Sequence, residues 1–142
     1  MKVTNPTFRR KIVRRGKSTQ SKLVKKLDTV FSQWIRLSAG KRIKCFTCPV
    51  VKDYKNMQCG HYISREVKGL RWNEDNCRPQ CYGCNIMHSG RSVDFRENLV
   101  RDMGEARVKE LEQMRFILFR PTEEYLTTLI ALYEERLREL GA

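Results

Sequence analysis

Two C-x-x-C pairs, Cys45-Phe46-Thr47-Cys48 and Cys81-Tyr82-Gly83-Cys84, stand 32 residues apart in a chain of 142. A C-x-x-C turn sets two thiolates on one side of a tight knuckle. Two such turns supply the closed four-sulfur tetrahedron of a structural zinc ion, with Zn–S bonds of about 2.3 Å. A metal held this way forces the chain between the pairs to fold back on itself, and its binding helps to fold a segment whose own apolar content is poor. A single pair could be redox-active; two pairs in one basic chain point to metal. Cys59 and Cys77 lie between the pairs without a C-x-x-C partner. Each reads either as a small buried residue or as a substitute ligand, and both are left outside the zinc shell. A four-cysteine site of this kind is structural and is equally compatible with a plain binding module.

The setting agrees with thiolates rather than disulfides. The N-terminus is basic and lacks the apolar stretch and cleavage site of a secretory signal, which predicts a chain made and kept inside a cell. No apolar run approaches the ~20 residues a membrane span needs, and 40% hydrophobic with 32% charged residues describes one globular domain with one modest core. The net charge of +13 is unevenly placed: residues 1–27 hold ten Lys or Arg and no acid. A basic arm on a nearly balanced body fits a polyanion, and nucleic acid is the expected partner. Arg9, Arg10, Arg14 and Arg15 are the phosphate-contact candidates in an arm assigned to residues 1–20, which is expected to order on binding. The competing reading is a solvated tail.

Beyond the arm, Leu23, Leu27, Val30, Trp34 and Leu37 recur at helical spacing, with N-cap candidates at Ser18 to Ser21 and a stop at Gly40. Residues 41–90 change character: cysteines, glycines, polar turns, and β-prone stretches at Met57 to Ile63 and Leu70 to Trp72. A helix is predicted from Cys84 or Asn85, broken near Ser89-Gly90 and closed at Gly104, with another from Glu105. Phe116-Ile117-Leu118-Phe119 is too apolar to be expected in water, and Pro121 punctuates it. Thr122 then caps a final helix in which Leu126, Ile130, Tyr133, Leu137 and Leu140 form a stripe that can pack on the same chain or form the seam of a homodimer. The chain divides accordingly into the arm, a zinc-containing domain with its leading helix over 21–104, and C-terminal helices over 105–142.

The two histidines, His61 and His88, both fall in the cysteine region, with Asn76 between them and Asn85 directly after the last pair. The order of histidine, asparagine, C-x-x-C and asparagine resembles the HNH, or His-Me finger, nucleases, and among them the phage NinG/Rap family of recombination endonucleases. The matching stretches are Gln58-Cys59-Gly60-His61-Tyr62 with Ser64-Arg65, Arg71 through Cys77, Gln80-Cys81 with Cys84-Asn85, and Ser89-Gly90, within a similarity spanning residues 28–100. The resemblance implies an α+β fold with a zinc-stabilised, treble-clef-like ββα-metal core flanked by helices. It also implies metal-dependent hydrolysis of branched DNA such as Holliday junctions, in the cytoplasm of a bacterial host. Within that pattern His61 is the general base, Asn76 braces the hairpin that carries it, and the Asn85 oxygen binds a catalytic Mg²⁺ or Mn²⁺, since hard ions favour oxygen ligands.

One position departs from the pattern. Many HNH enzymes place an acidic ligand just before the histidine, where this chain has Gly60. His88, three residues after Asn85, is the first replacement ligand considered, against a plain helix-terminal histidine; Asp75, Glu66 and Asp94 are weaker candidates. Arg65, Arg71 and Arg91 are expected on phosphates, alongside Lys68 and Arg96, reading DNA shape rather than base sequence. Two other functions stay open: a non-catalytic zinc-containing nucleic-acid-binding module, which Gly60 favours, and an interaction protein working through its C-terminal helix.

Overall fold

The computed structural model describes residues 17–142. Arg9, Arg10, Arg14 and Arg15 therefore lie outside the described residues. The chain is α+β: a long first helix, two small antiparallel sheets that carry or adjoin the cysteines, and four further α-helices among the described residues.

Helix α1 (Thr19–Ser38) starts where the Ser18 hydroxyl accepts the Ser21 N–H at 3.2 Å and stops at Gly40, whose φ of +126° is left-handed. Its buried face is wider than the predicted stripe. Leu23, Val30 and Trp34 are partly buried, whereas Leu27, Phe31 and Ile35 are fully enclosed. The reason is that α1 packs on two partners at once, the last helix and the strands of the second sheet. That last helix, α5 (Glu123–Glu139), begins at Thr122, whose hydroxyl accepts the Tyr125 N–H at 3.1 Å. Acids in its first turn and Arg136 and Arg138 in its last complement the helix dipole. Leu126, Ile130, Tyr133 and Leu137 are buried. The first three join α1 in one core, where Tyr133 meets Phe31 edge to face at 5.1 Å. Four of the five stripe residues are thus consumed inside the chain, and Leu140 is left exposed.

Between these helices, β1 (Arg42–Lys44) pairs with β2 (Val51–Asp53), and β3 (Gln58–His61) pairs with β4 (Cys77–Gln80). The stretch Leu70 to Trp72, expected to be extended, is instead the end of a short helix, α2 (Lys68–Arg71), and its cap. The fully buried Asn76 enforces this: its Nδ2 donates to the carbonyls of Ile63 and Leu70, both at 3.0 Å, while its Oδ1 accepts the Ile63 N–H at 2.8 Å. A coiled excursion is drawn shut at its neck, and Leu70 is pressed onto Ile63 and Leu111.

After the second cysteine pair comes a π-helical turn at Gly83–Met87, then three consecutive left-handed residues, Ser89, Gly90 and Arg91, and then α3 (Ser92–Met103). The expected break is therefore present. Helix α4 (Glu105–Met114) follows Gly104, and its Val108 packs with Phe95 and Leu99 of α3. Phe116, Ile117 and Leu118 are 79%, 63% and 83% exposed, contrary to expectation; only Phe119 is half-buried, on Tyr125 at 5.0 Å. The α1–α5 core is filled by those helices' own side chains together with Trp72 and Cys77, so the three residues do not enter it. Among the described residues, no helix is long and apolar enough to cross a membrane.

Candidate functional site

The two C-x-x-C turns meet. Cys45 to Cys48 follow β1, Cys81 to Cys84 follow β4, and the Phe46 N–H donates to the Pro79 carbonyl at 2.9 Å to tie one turn to the other strand. The four Sγ atoms lie within 4.8 Å of one another. Burial opposes a thiolate at Cys45, but N–H donors from Cys81 and Thr47 outweigh it and bring its pKa down to about 6. Burial first, and then the neighbouring cysteines, push Cys48 up to about 12. Four sulfurs at this spacing cannot all ionise without a cation among them, and that demand fits a thiophilic dication held as a closed structural site.

An open cleft of about 700 Å³ lies beside this knuckle, lined by residues of α1, β3, the α2 segment and the π-turn. His61 and Asn85 both face it, with Cys59, Arg36, Arg65 and Arg71. His61 Nε2 is 2.8 Å from the Arg71 carbonyl oxygen. A carbonyl has only lone pairs to offer, so Nε2 carries the proton and the neutral ring keeps a bare, basic Nδ1. Burial, more than any other influence, holds the His61 pKa below its usual value, and the nearby Arg65 charge acts in the same sense. The imidazole is therefore neutral at neutral pH. Asn85 is turned by its Nδ2, which donates to Gln58 Oε1 at 2.7 Å, and its Oδ1 accepts no hydrogen bond from a described residue. The Asn76 side chain makes its hydrogen bonds to Ile63 and Leu70 rather than to the imidazole; it braces the backbone on which His61 stands, and its own carbonyl accepts the Tyr62 N–H at 2.9 Å.

Gly60 has a local cause. A Cβ there would come within 2.1 Å of Gln80 Oε1, so the glycine makes room for a side chain crossing from β4. Gln80 Nε2 donates to Thr47 Oγ1 at 2.8 Å and to the Gly90 carbonyl at 2.9 Å, which joins the cysteine turn to the left-handed bend before α3. The Gly90 acceptor settles which way the amide points, and it leaves Gln80 Oε1 buried without a partner. Gly60→Ala is expected to displace Gln80, break both bonds and cost about 2–4 kcal/mol, read as a lowered denaturation midpoint with an unchanged m-value. An unaltered midpoint would show that the strand face is slack.

The remaining candidates are distributed unequally. His88 is exposed at the end of the π-turn and lies off the cleft; the wider turn separates it from the direction of Asn85. Asp75 is held by Arg107, its Oδ2 accepting from Nε at 2.8 Å and Nη2 at 2.5 Å. Arg71 is committed to Asp28 of α1, donating from Nε at 2.9 Å and Nη2 at 2.5 Å, and its side chain is 11% exposed against 56% for Arg65. Asp28 also accepts from Arg65 and from the Trp72 indole. Arg65 is therefore the freer of the two for an anionic ligand. Arg91 starts α3 in a left-handed conformation with its Nε buried and unpaired. Sequence reasoning missed the parts played by Gln58, Gln80 and Asp28, because each acts across the fold on a residue distant in sequence.

A cysteine-knuckle α+β protein whose histidine and asparagine share one open cleft is the class that this fold and site define. The chain belongs to the NinG family: residues 6–142 match the family model described as Bacteriophage Lambda NinG protein. It is 28% identical to protein ninG of Escherichia phage lambda over 118 residues, which is 82% of this chain and 56% of that protein. It is likewise 28% identical to protein ninG of Salmonella phage P22 and 27% identical to that of Escherichia phage 933W, covering 82% of this chain and 57% of each relative. The chain thus spans a little over half the length of the curated relatives it matches. No solved structure matches it.

Proposed function

We propose that this chain is a metal-dependent DNA endonuclease that hydrolyses phosphodiester bonds in branched DNA. The observation that carries the reading is the shared cleft: a neutral imidazole whose Nδ1 is freed by the Nε2 bond to Arg71, facing the same space as the Asn85 amide. The β3–β4 hairpin and the turn and helix after it support a ββα-metal unit, with zinc in the four-cysteine knuckle. In this reading His61 takes a proton from water attacking a phosphate, and its orientation is held by the Arg71 carbonyl. Asn76 keeps that carbonyl's segment in place by closing the loop from Ile63 to Leu70. Arg65 offers the phosphate a charged donor at the edge of the cleft. Asn85 Oδ1 would be one ligand of a Mg²⁺ or Mn²⁺ ion, whose part is to stabilise the charge that develops on the phosphate and leaving oxygen. The relatives are phage proteins, which fits action in the cytoplasm of an infected bacterium. Cutting both strands of a junction calls for two copies, and because α5 buries its stripe on α1, a homodimer would use another face.

Gly60 favours a second reading, a zinc-containing module that binds nucleic acid without cutting it, because it removes the carboxylate a hard cation would prefer. One assay separates the two: a labelled four-way junction and its linear duplex, each with Mg²⁺, with Mn²⁺ and without divalent ion. Divalent-dependent cuts concentrated on the junction are expected; binding of both DNAs with no cut in either would transfer the argument to the second reading.

The positive charge has its own test. Helix α1 exposes Lys22, Lys25 and Lys26 just beyond the arm. Deleting residues 1–20 is expected to reduce the slope of log affinity against log salt by several units, since each phosphate neutralised contributes about 0.9. An unchanged slope would assign the binding to the body of the chain.

A further inference from the structure

The pairing that sets His61 opposite Cys77 also places Cys59, two residues before His61, on the same face of the hairpin. The Sγ atoms of Cys59 and Cys77 and a ring nitrogen of His61 all lie within 4.8 Å of one another. Ligands at this spacing can be spanned by one ion with bonds of about 2.0–2.3 Å after small adjustments. The cluster is distinct from the four-cysteine knuckle, because Cys77 opens β4 and Cys81 follows its last residue, separated by roughly 13 Å of extended chain. Cys77 is fully buried under α1, whereas Cys59 and His61 line the cleft, so an ion can enter from the cleft and keep one coordination position open to it.

The donor set is selective. Two thiols and an imidazole suit zinc and similar thiophilic ions and reject Mg²⁺, which asks for oxygen. We propose that Cys59, His61 and Cys77 form a second site for a thiophilic divalent cation, of the open three-ligand kind, whose occupancy takes a lone pair from His61. Binding releases both thiol protons to solvent and leaves the imidazole neutral and metal-bound. On the nuclease reading above, such an ion makes the chain zinc-inhibited: the base that activates water is withdrawn while the structural zinc stays in its knuckle.

The experiment is zinc titration of the full chain under a thiol-free reductant, read by bound zinc per chain and by the imidazole resonances. Because the chain has two histidines, His88 provides the internal control. Wild-type protein is expected to bind two equivalents, and the second should displace the imidazole resonances of His61 while leaving those of His88 in place. Cobalt in place of zinc should show a second equivalent with weaker sulfur-to-metal absorption than the first, in keeping with two thiolates rather than four. Cys59→Ser and Cys77→Ser should each bind one equivalent; Cys59 is only partly buried, so its variant keeps the test available if the other fails to fold. Saturation of the wild type at one equivalent, a second equivalent that survives Cys59→Ser, or His61 resonances that stay in place in the two-zinc form would each overturn the proposal. None of these readouts requires cleavage, so failure of the nuclease reading would be seen separately, as an absence of cuts at every zinc level.

Discussion

His61→Ala is expected to lower divalent-dependent cleavage of a four-way junction by about 10²–10⁴-fold, the contribution of a positioned general base. DNA affinity should stay within a factor of two or three, because His61 neither belongs to the four-cysteine knuckle nor carries a positive charge at neutral pH. The variant does lose the hydrogen bond to the Arg71 carbonyl, at a cost of about 1 kcal/mol, which a melting curve should register as a shift of a few degrees. The wild-type pH profile carries an independent signature. Burial lowers the His61 pKa, and the neutral ring is the active form, so the rate should be level at neutral pH and fall only as pH drops below the ordinary histidine value of about 6.5. Stability should move in the same direction: with the folded pKa depressed, the unfolded chain takes the proton first, so His61's contribution to stability declines as pH falls through that window. Equal losses of binding and cleavage in the variant would reassign His61 to the fold.

The second large effect is expected at the knuckle. If the knuckle holds zinc as proposed, Cys45→Ser or Cys84→Ser should release it and lower the melting temperature far beyond what one lost thiol would do in a core. A structural zinc contributes about 10–16 kcal/mol of apparent binding free energy in small zinc domains, comparable to the whole stability of an ordinary domain. The apolar cluster at this end consists of Ile43, Met57 and the cysteines, with Tyr54 partly buried against it. Beyond it, the turn after β1 is tied to β4 by the Phe46 N–H on the Pro79 carbonyl and by Gln80 Nε2 on Thr47 Oγ1. Zinc release can be followed with a chromogenic chelator during thermal unfolding. A serine variant that kept a full equivalent and the wild-type midpoint would show that these sulfurs are not the ligands.

Much of the site could be read from spacing because its parts are local. Two C-x-x-C turns announce themselves over four residues each, and Asn85 follows the second directly, so the metal candidates and one cleft residue come as a unit. The helix caps at Ser18 and Thr122 were legible for the same reason: the signal and its effect lie within one turn. What escaped was set by strand register. Strand β4 contains Pro79, which weakens any strand signal, and without β4 nothing says that Cys77 faces His61 or that Gln80 fills the space above Gly60. Gly60 therefore read only as a missing ligand, although a Cβ at that position would also meet Gln80. Leu70 to Trp72 looked extended by residue type, yet three hydrogen bonds from one buried asparagine fix the surrounding loop. Phe116 to Leu118 misled in the opposite sense, because apolar character states a preference for burial and not whether a partner surface is in reach.

The pairing of α1 with α5 has a consequence in time. One wall of the cleft, with Asp28 and Arg36, belongs to α1, and α1 is held in place mainly by a helix that the ribosome makes long afterwards. The knuckle and its hairpin can close early, from contacts near in sequence, but the cleft has no finished wall until α5 emerges and docks. Docking of α5, rather than closure of the knuckle, becomes the event that completes the cleft.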